Sequence, residues 1–222
     1  MIAEELINQM IPALRPEDPV SKALALMEEL RCAQIPIVEN GKFLGFVSEE
    51  MVSDNSSEED KSMGQVGLTG EQCQVSSEAH FYEVVRVAAE NKMQVVAVIN
   101  NLKLFAGVIT VSDIMTTFSQ TAAVQSSGSV LVLSVDLMDY SLAEIARLVE
   151  ENNAKILSSA LTQDPMNNAK TRLTLKIDQA DLTRIVATLE RFGYRIIGRY
   201  HETRFTDTEK ERYDLLMRYL NI

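Results

Sequence analysis

Gly107-Val108-Ile109-Thr110-Val111-Ser112-Asp113 is the stretch around which the rest of the sequence falls into order. A glycine ends an apolar approach, a strand residue follows, and a threonine precedes an aspartate by three positions. A helix beginning at Thr110 brings the Thr110 hydroxyl and the Asp113 carboxylate to its N-terminal end within one turn. That end also presents free backbone N–H groups and partial positive charge. Two readings are open. In one, Thr110 caps the helix and Asp113 answers from the third position. In the other, a diol such as a ribose lies across the carboxylate, with a phosphate near the hydroxyl and the amides.

Working outward, the same pattern occurs earlier in the chain. Leu14 recurs as Val75, and the helical face Val20, Ala23, Leu24, Met27 recurs as Phe81, Val84, Val85, Ala88, at an offset of 61 residues. The short apolar strand Ile35-Pro36-Ile37-Val38 recurs as Val96-Ala97-Val98-Ile99. After a turn at Glu39-Asn40-Gly41-Lys42, Gly45, Val47, Ser48 and Met51 recur as Gly107, Ile109, Thr110 and Asp113, now at an offset of 62. Residues 1–120 therefore read as two copies of a strand–helix–strand–strand–helix unit, with repeat one over 1–54 and repeat two over 74–120. The polar, acidic and glycine-punctuated stretch 55–73 reads as a linker. Residues Ala3 to Met10 read as a lead-in helix.

A small-residue stretch, 121–128, marks the next boundary. Beyond it, strands are expected at Val130 to Leu137, Lys155 to Leu161, Leu173 to Ile177 and Tyr194 to Tyr200. Helix faces fall at Leu142, Ile145, Ala146, Val149 and at Leu182, Ile185, Val186, Leu189. This βαββαβ order over 129–203 predicts a ferredoxin-like antiparallel sheet with both helices on one face. A charged terminal helix, roughly Thr206 to Leu220, is expected within 204–222. The fold class is thus α/β with an α+β second part.

These residues resemble two known families. Residues 1–120 resemble a tandem pair of cystathionine-β-synthase-type (CBS) domains, the Bateman module. The resemblance rests on Ile35 to Val38 and on Gly107 to Asp113, which is similar to that family's glycine–hydrophobic–Ser/Thr–Asp signature. Residues 129–200 resemble an ACT-type domain, with Leu142-Ala143-Glu144-Ile145-Ala146 similar to the start of its first helix. The whole chain is similar to bacterial CBS–ACT proteins, some labelled as acetoin-utilisation proteins. The resemblance implies a cleft for an adenosyl ligand: AMP, ADP, ATP or S-adenosylmethionine. By it, Asp113 holds the ribose hydroxyls and Thr110 contacts phosphate or ribose. Backbone groups around Val96 and Val98 read the adenine edge, and residues near Val75 and Ser76 close the cleft.

The departures carry expectations of their own. Met51 stands where repeat one would need the aspartate, and a thioether cannot accept two hydroxyl hydrogen bonds, so that cleft is expected to take no ribose. Repeat two has Ala97 in place of the proline. Tyr140 stands where the ACT pattern has a glycine, and its ring is expected to crowd an amino-acid pocket. The ACT-like part is then more suited to forming a dimer.

The bulk numbers bound the function. The chain has 222 residues, a formal charge of −11 and two cysteines, Cys32 and Cys73, in no CxxC. That charge argues against a nucleic-acid partner. The absence of a long apolar run or a signal-like start leads us to expect a cytoplasmic chain off the membrane. His80 and His201 sit in no metal spacing, and no P-loop, nucleophile elbow or GxGxxG is present. The expectation is a non-catalytic regulatory homodimer with no metal, acting on an unidentified protein. The alternatives are a ligand-free dimerisation module acting through a protein partner and an amino-acid sensor working through the ACT-like part.

Overall fold

The structure is a computed structural model and describes residues 1–55, 61–136, 138, 140–167 and 169–201. The chain divides into two compact units, Met1–Ser119 and Gln120–Ile222. The terminal helix expected within 204–222 lies outside the described residues.

The first unit contains the two repeats. Repeat one runs through α1 (Val20–Leu30), β1 (Gln34–Glu39), β2 (Lys42–Ser48) and α2 (Glu49–Asp54). Then come α3 (Met63–Val66), β3 (Gln74–Ser76), α4 (Phe81–Asn91), β4 (Val95–Ile99), β5 (Phe105–Thr110) and α5 (Val111–Ser119). The duplication extends to backbone detail. Helices α1 and α4 both end on a left-handed residue, Arg31 (φ 51°) and Lys92 (φ 54°). The β1–β2 ladder shifts register at Ile37/Val38 and the β4–β5 ladder shifts at the equivalent Val98/Ile99. Leu14 makes one parallel bridge to Ile37, where Val75 of β3 pairs in parallel with Val98. The His80 ring caps α4, its Nδ1 accepting from the Tyr82 N–H at 3.4 Å.

Two stretches differ from the sequence expectation, and for the same reason. The lead-in is a single 3-10 turn, Ala3–Leu6, followed by extended chain. Pro12 restricts the residue before it, and the Asn8 N–H is taken by the Val108 carbonyl at 2.8 Å, so a helix to Met10 does not form. The turn docks on repeat two: the N–H groups of Ala3 and Glu4 reach the carbonyls of Ala79 and Ser77 at 2.8 and 3.0 Å. Ala3 and Leu6 are buried in a core with Val84, Val96, Val98, Val108 and Ile109. Reciprocally, the stretch 55–73, expected to be a linker, carries α3. Its Met63 is fully buried against Leu14, Val20, Ile35, Ile37 and Val52 of repeat one. The Met63 N–H bonds to the Asp18 carbonyl and the Gly64 N–H to the Pro16 carbonyl, both at 2.9 Å. The segment entering each repeat therefore completes the core of the other.

This crossing explains two glycines. Ile7 passes so close to Gly107 that a Cβ there would lie 2.4 Å from Ile7 Cγ2. At Gly45 a Cβ would meet Leu68 Cβ and the Thr69 carbonyl at 3.1 Å, because Leu68 and Thr69 run past it in the same way.

The second unit begins with a short helix, α6 (Ala122–Gln125), inside the stretch 121–128 that reads as linker. It continues as β6 (Ser129–Val135), α7 (Leu142–Glu150), β7 (Ile156–Gln163), β8 (Thr171–Ile177), α8 (Thr183–Arg191) and β9 (Arg195–His201). The sheet order is β7-β8-β6-β9 with every pair antiparallel, the ferredoxin-like βαββαβ arrangement. Along β6, Leu131, Leu133 and Val135 alternate inward onto Ile145, Leu148, Ile185 and Leu189 of the two helices.

Candidate functional site

Repeat two places Thr110 at the end of β5 and Asp113 in the first turn of α5. The capping box forms. Thr110 Oγ1 accepts from the Asp113 N–H at 3.0 Å, and Asp113 Oδ2 accepts from the Thr110 N–H at 2.9 Å and from its hydroxyl at 2.6 Å. In repeat one only half of that box exists. Ser48 Oγ accepts from the Met51 N–H at 3.3 Å, and the Met51 thioether returns nothing to Ser48.

Capping does not bury this corner. Thr110 and Asp113, with Val111 and Ser112, line one wall of a cavity of about 630 Å³. Gln94 and Val95 at the start of β4 add a second side, and Asn8, Met10 and Ile11 of the N-terminal segment a third. The opposite wall is residues 29–33 of repeat one, including the charged Glu29 and Arg31 and the thiol of Cys32. The left-handed turn at Arg31 that ends α1 sets this wall. The two repeats are joined beside the cavity by Gln34, whose Oε1 accepts from the Gln94 N–H at 3.0 Å.

The volume is that of a small-molecule cleft. Its chemistry suits a ligand with hydroxyls and an anionic group: Asp113 beside a helix N-terminus on one wall, and Arg31 with Glu29 on the other. Asp113 Oδ2 is already committed to Thr110 and also receives the Asn8 amide, from Nδ2 at 3.1 Å, while among the described residues Oδ1 receives only that same amide, at 3.2 Å. Burial pushes the Cys32 thiol above its ordinary range, so this side chain is a neutral thiol at physiological pH. Burial pushes Cys73 up to about 11, and its Sγ donates to the Val95 carbonyl.

The structure brings two of the six sequence candidates, Thr110 and Asp113, to the cavity. Val96 and Val98 do not line it, because they are buried in the core on the central strand of β3-β4-β5. A central strand has ladder partners on both sides, which leaves their backbone groups little to offer a ligand. Val75 and Ser76 lie on β3 beside Val98 and Ile99, Val75 buried and Ser76 exposed, and neither lines the cavity. The wall that faces Asp113 comes from repeat one instead. Asn8, Arg31 and Gln94 were not candidates in the sequence. The repeat offset carried a signal for Asn8, since it aligns Ile7-Asn8 with Leu68-Thr69 just ahead of repeat two.

The second unit has a smaller cavity of about 310 Å³ lined by Asp136, Tyr140, Glu144, Lys170 and Tyr194 among others. The Tyr140 ring is half-buried against the core and forms one side of it. The Tyr194 hydroxyl donates to Glu144 Oε2 at 2.6 Å, and burial together with that carboxylate pushes the phenol up to about 12. Among the described residues no group of three or more His, Cys, Asp or Glu could hold a metal ion, and no helix is long and apolar enough to cross a membrane.

Comparison with known proteins places the first repeat. The CBS domain family model matches residues 3–57. Among solved structures, a CBS domain pair/ACT domain protein from Thermotoga maritima is similar at 17% identity and a TM-score of 0.49, covering 53% of this chain and 96% of that one. A protein from Vibrio cholerae named for acetoin utilization is 23% identical with a TM-score of 0.47, covering 53% of this chain and 90% of that one. The CBSX2 protein, solved in complex with AMP, is 18% identical with a TM-score of 0.46, covering 54% and 96%. The chain carries a CBS domain in its first repeat, and its first unit follows that domain with a second copy of the same strand–helix order.

Proposed function

We propose that this chain is a non-catalytic regulatory protein whose repeat-two cleft binds an adenosyl ligand, an adenine nucleotide or S-adenosylmethionine. The observation that carries this reading is the Asp113 carboxylate at the N-terminus of α5, on the wall of a cavity of about 630 Å³ that the other repeat closes. In this assignment Asp113 Oδ1 takes a ribose hydroxyl. The partial positive charge at the start of α5 and the Arg31 guanidinium across the cleft attract the phosphate or another charged group. Asp113 and Met51 give the two repeats different roles: repeat two binds, and repeat one, lacking a carboxylate at that position, is a support. A ligand spanning both walls favours whichever packing of the repeats it fits better, and its differential affinity is the signal.

In the same reading the chain works as a homodimer with an ACT-type second unit. The support for self-association is an apolar face on α4 and α5, where Tyr82 is 70% and Met115 61% exposed, beside Val85 and Val111. That face also favours the second reading, a dimerisation module that binds no small molecule.

Calorimetric titration with AMP, ATP and S-adenosylmethionine separates the two. Micromolar binding is expected for at least one of them. Asp113→Ala is expected to weaken it by about 1.5–3 kcal/mol through loss of a charged hydrogen bond. Unchanged affinity in that variant overturns the site assignment, and no binding by the wild type favours the dimerisation module.

A further inference from the structure

Asn8 holds the edge of Asp113 that a nucleoside would use. Its Nδ2 lies 3.2 Å from Asp113 Oδ1 and 3.1 Å from Oδ2. A donor nearly equidistant from both oxygens sits on the bidentate edge of the carboxylate. A vicinal diol grips that same edge, one hydroxyl to each oxygen. Oδ2 is further engaged on its other side by the Thr110 N–H and hydroxyl.

The Asn8 amide is aimed rather than loosely placed. Its Oδ1 accepts from the Met10 N–H at 2.9 Å, which turns the NH₂ group toward Asp113. Its backbone N–H is fixed to the Val108 carbonyl at 2.8 Å. In repeat one the equivalent positions hold Thr69 and Met51, so neither half of the amide–carboxylate pair is repeated there. The pair belongs to the repeat that has a carboxylate at this helix start.

Resting on the nucleoside reading above, we infer that Asn8 is a specificity-determining residue: its amide occupies the diol edge of Asp113 and yields to a sugar carrying both hydroxyls. A single hydroxyl replaces one arm of the two-armed contact and leaves the other oxygen short of a donor. Two hydroxyls replace both arms. A sugar with neither hydroxyl cannot displace the amide at all.

The test is titration of the full chain, as wild type, Asn8→Ala and Asn8→Ser, with AMP and with its 2′,3′-dideoxy analogue. The serine variant keeps an acceptor for the Met10 N–H while being too short to reach Asp113. Both variants are expected to bind AMP about three- to tenfold more tightly than wild type, because the competing amide is gone. Affinity for the dideoxy analogue is expected to stay within about twofold, since that ligand never competed with it. Equal or weaker AMP binding in the variants, with binding still lost in Asp113→Ala, overturns the role of Asn8 and leaves the cleft reading standing. Equal tightening of both ligands also overturns it, because that reports a loosened cleft rather than a contested carboxylate. No AMP binding by any form overturns the cleft reading and this inference together.

Discussion

Gly107 shows what a single position has to satisfy in this chain. Its φ of +156° disfavours an L side chain, and a Cβ would press within 2.4 Å of the Ile7 side chain. The substitution Gly107→Ala is therefore expected to destabilise the first unit by about 1–3 kcal/mol through overpacking. Urea unfolding measures this, and Ile7→Ala in the same chain should recover part of the loss, because the clash is with that one side chain. The sequence made Gly107 conspicuous but gave no reason for it, since Ile7 is a hundred residues away. Thr110 and Asp113 were legible because the cap and the diol site need the same spacing. Spacing could not choose between them, and the structure shows the cap made with one carboxylate oxygen still lightly engaged. Arg31 and Gln94 were not legible at all: their place in the cleft depends on how one repeat sits against the other.

At the scale of elements, α3 illustrates how composition misleads. Residues 55–73 are polar, acidic and rich in glycine, which reads as connection. Yet four of them form a helix whose first residue, Met63, is fully buried in repeat one. Met63, Val66 and Leu68 are too few, and their helix at four residues too short, to leave a periodicity to detect, so only the fold reveals it. Met63→Ala should destabilise the first unit by about 2–5 kcal/mol, as a large-to-small change in a core does. Thermal unfolding followed by circular dichroism would register it, and a change near zero would mean that α3 is a surface feature. The long strands and helices of the second unit were legible from period alone. In β6 and β8 every second residue is buried, and α7 and α8 carry buried residues at helical spacing.

At the scale of the whole molecule, the two units have different ionisable groups in their interiors, and pH should tell them apart. Tyr194 in the second unit is held at about 12, by burial first and Glu144 second, against about 10 for a free phenol. The folded state therefore favours the neutral phenol. Its contribution is complete below pH 10 and is lost as the pH rises from about 10 towards 12. Glu144→Gln should lower the Tyr194 midpoint only part of the way, because burial remains the larger cause. Absorbance titration of the tyrosinate band would follow both, and a Tyr194 midpoint near 10 in the wild type would show that the pocket is open to water.

The exchange of entry segments makes the boundary of the CBS-matching stretch, 3–57, differ from any boundary in space. Ala3 and Leu6 are inside that stretch but fill the core of the second repeat, and Met63 is outside it but fills the core of the first. Neither repeat owns a complete interior, so neither can melt while its neighbour stays intact. The pair behaves as one cooperative foldon, in which opening either half withdraws a plug from the other. The two copies of the unit are in this way indivisible. A ligand that steadies Asp113 in repeat two thereby also steadies repeat one, through the common fate of the two interiors and with no separate relay between them.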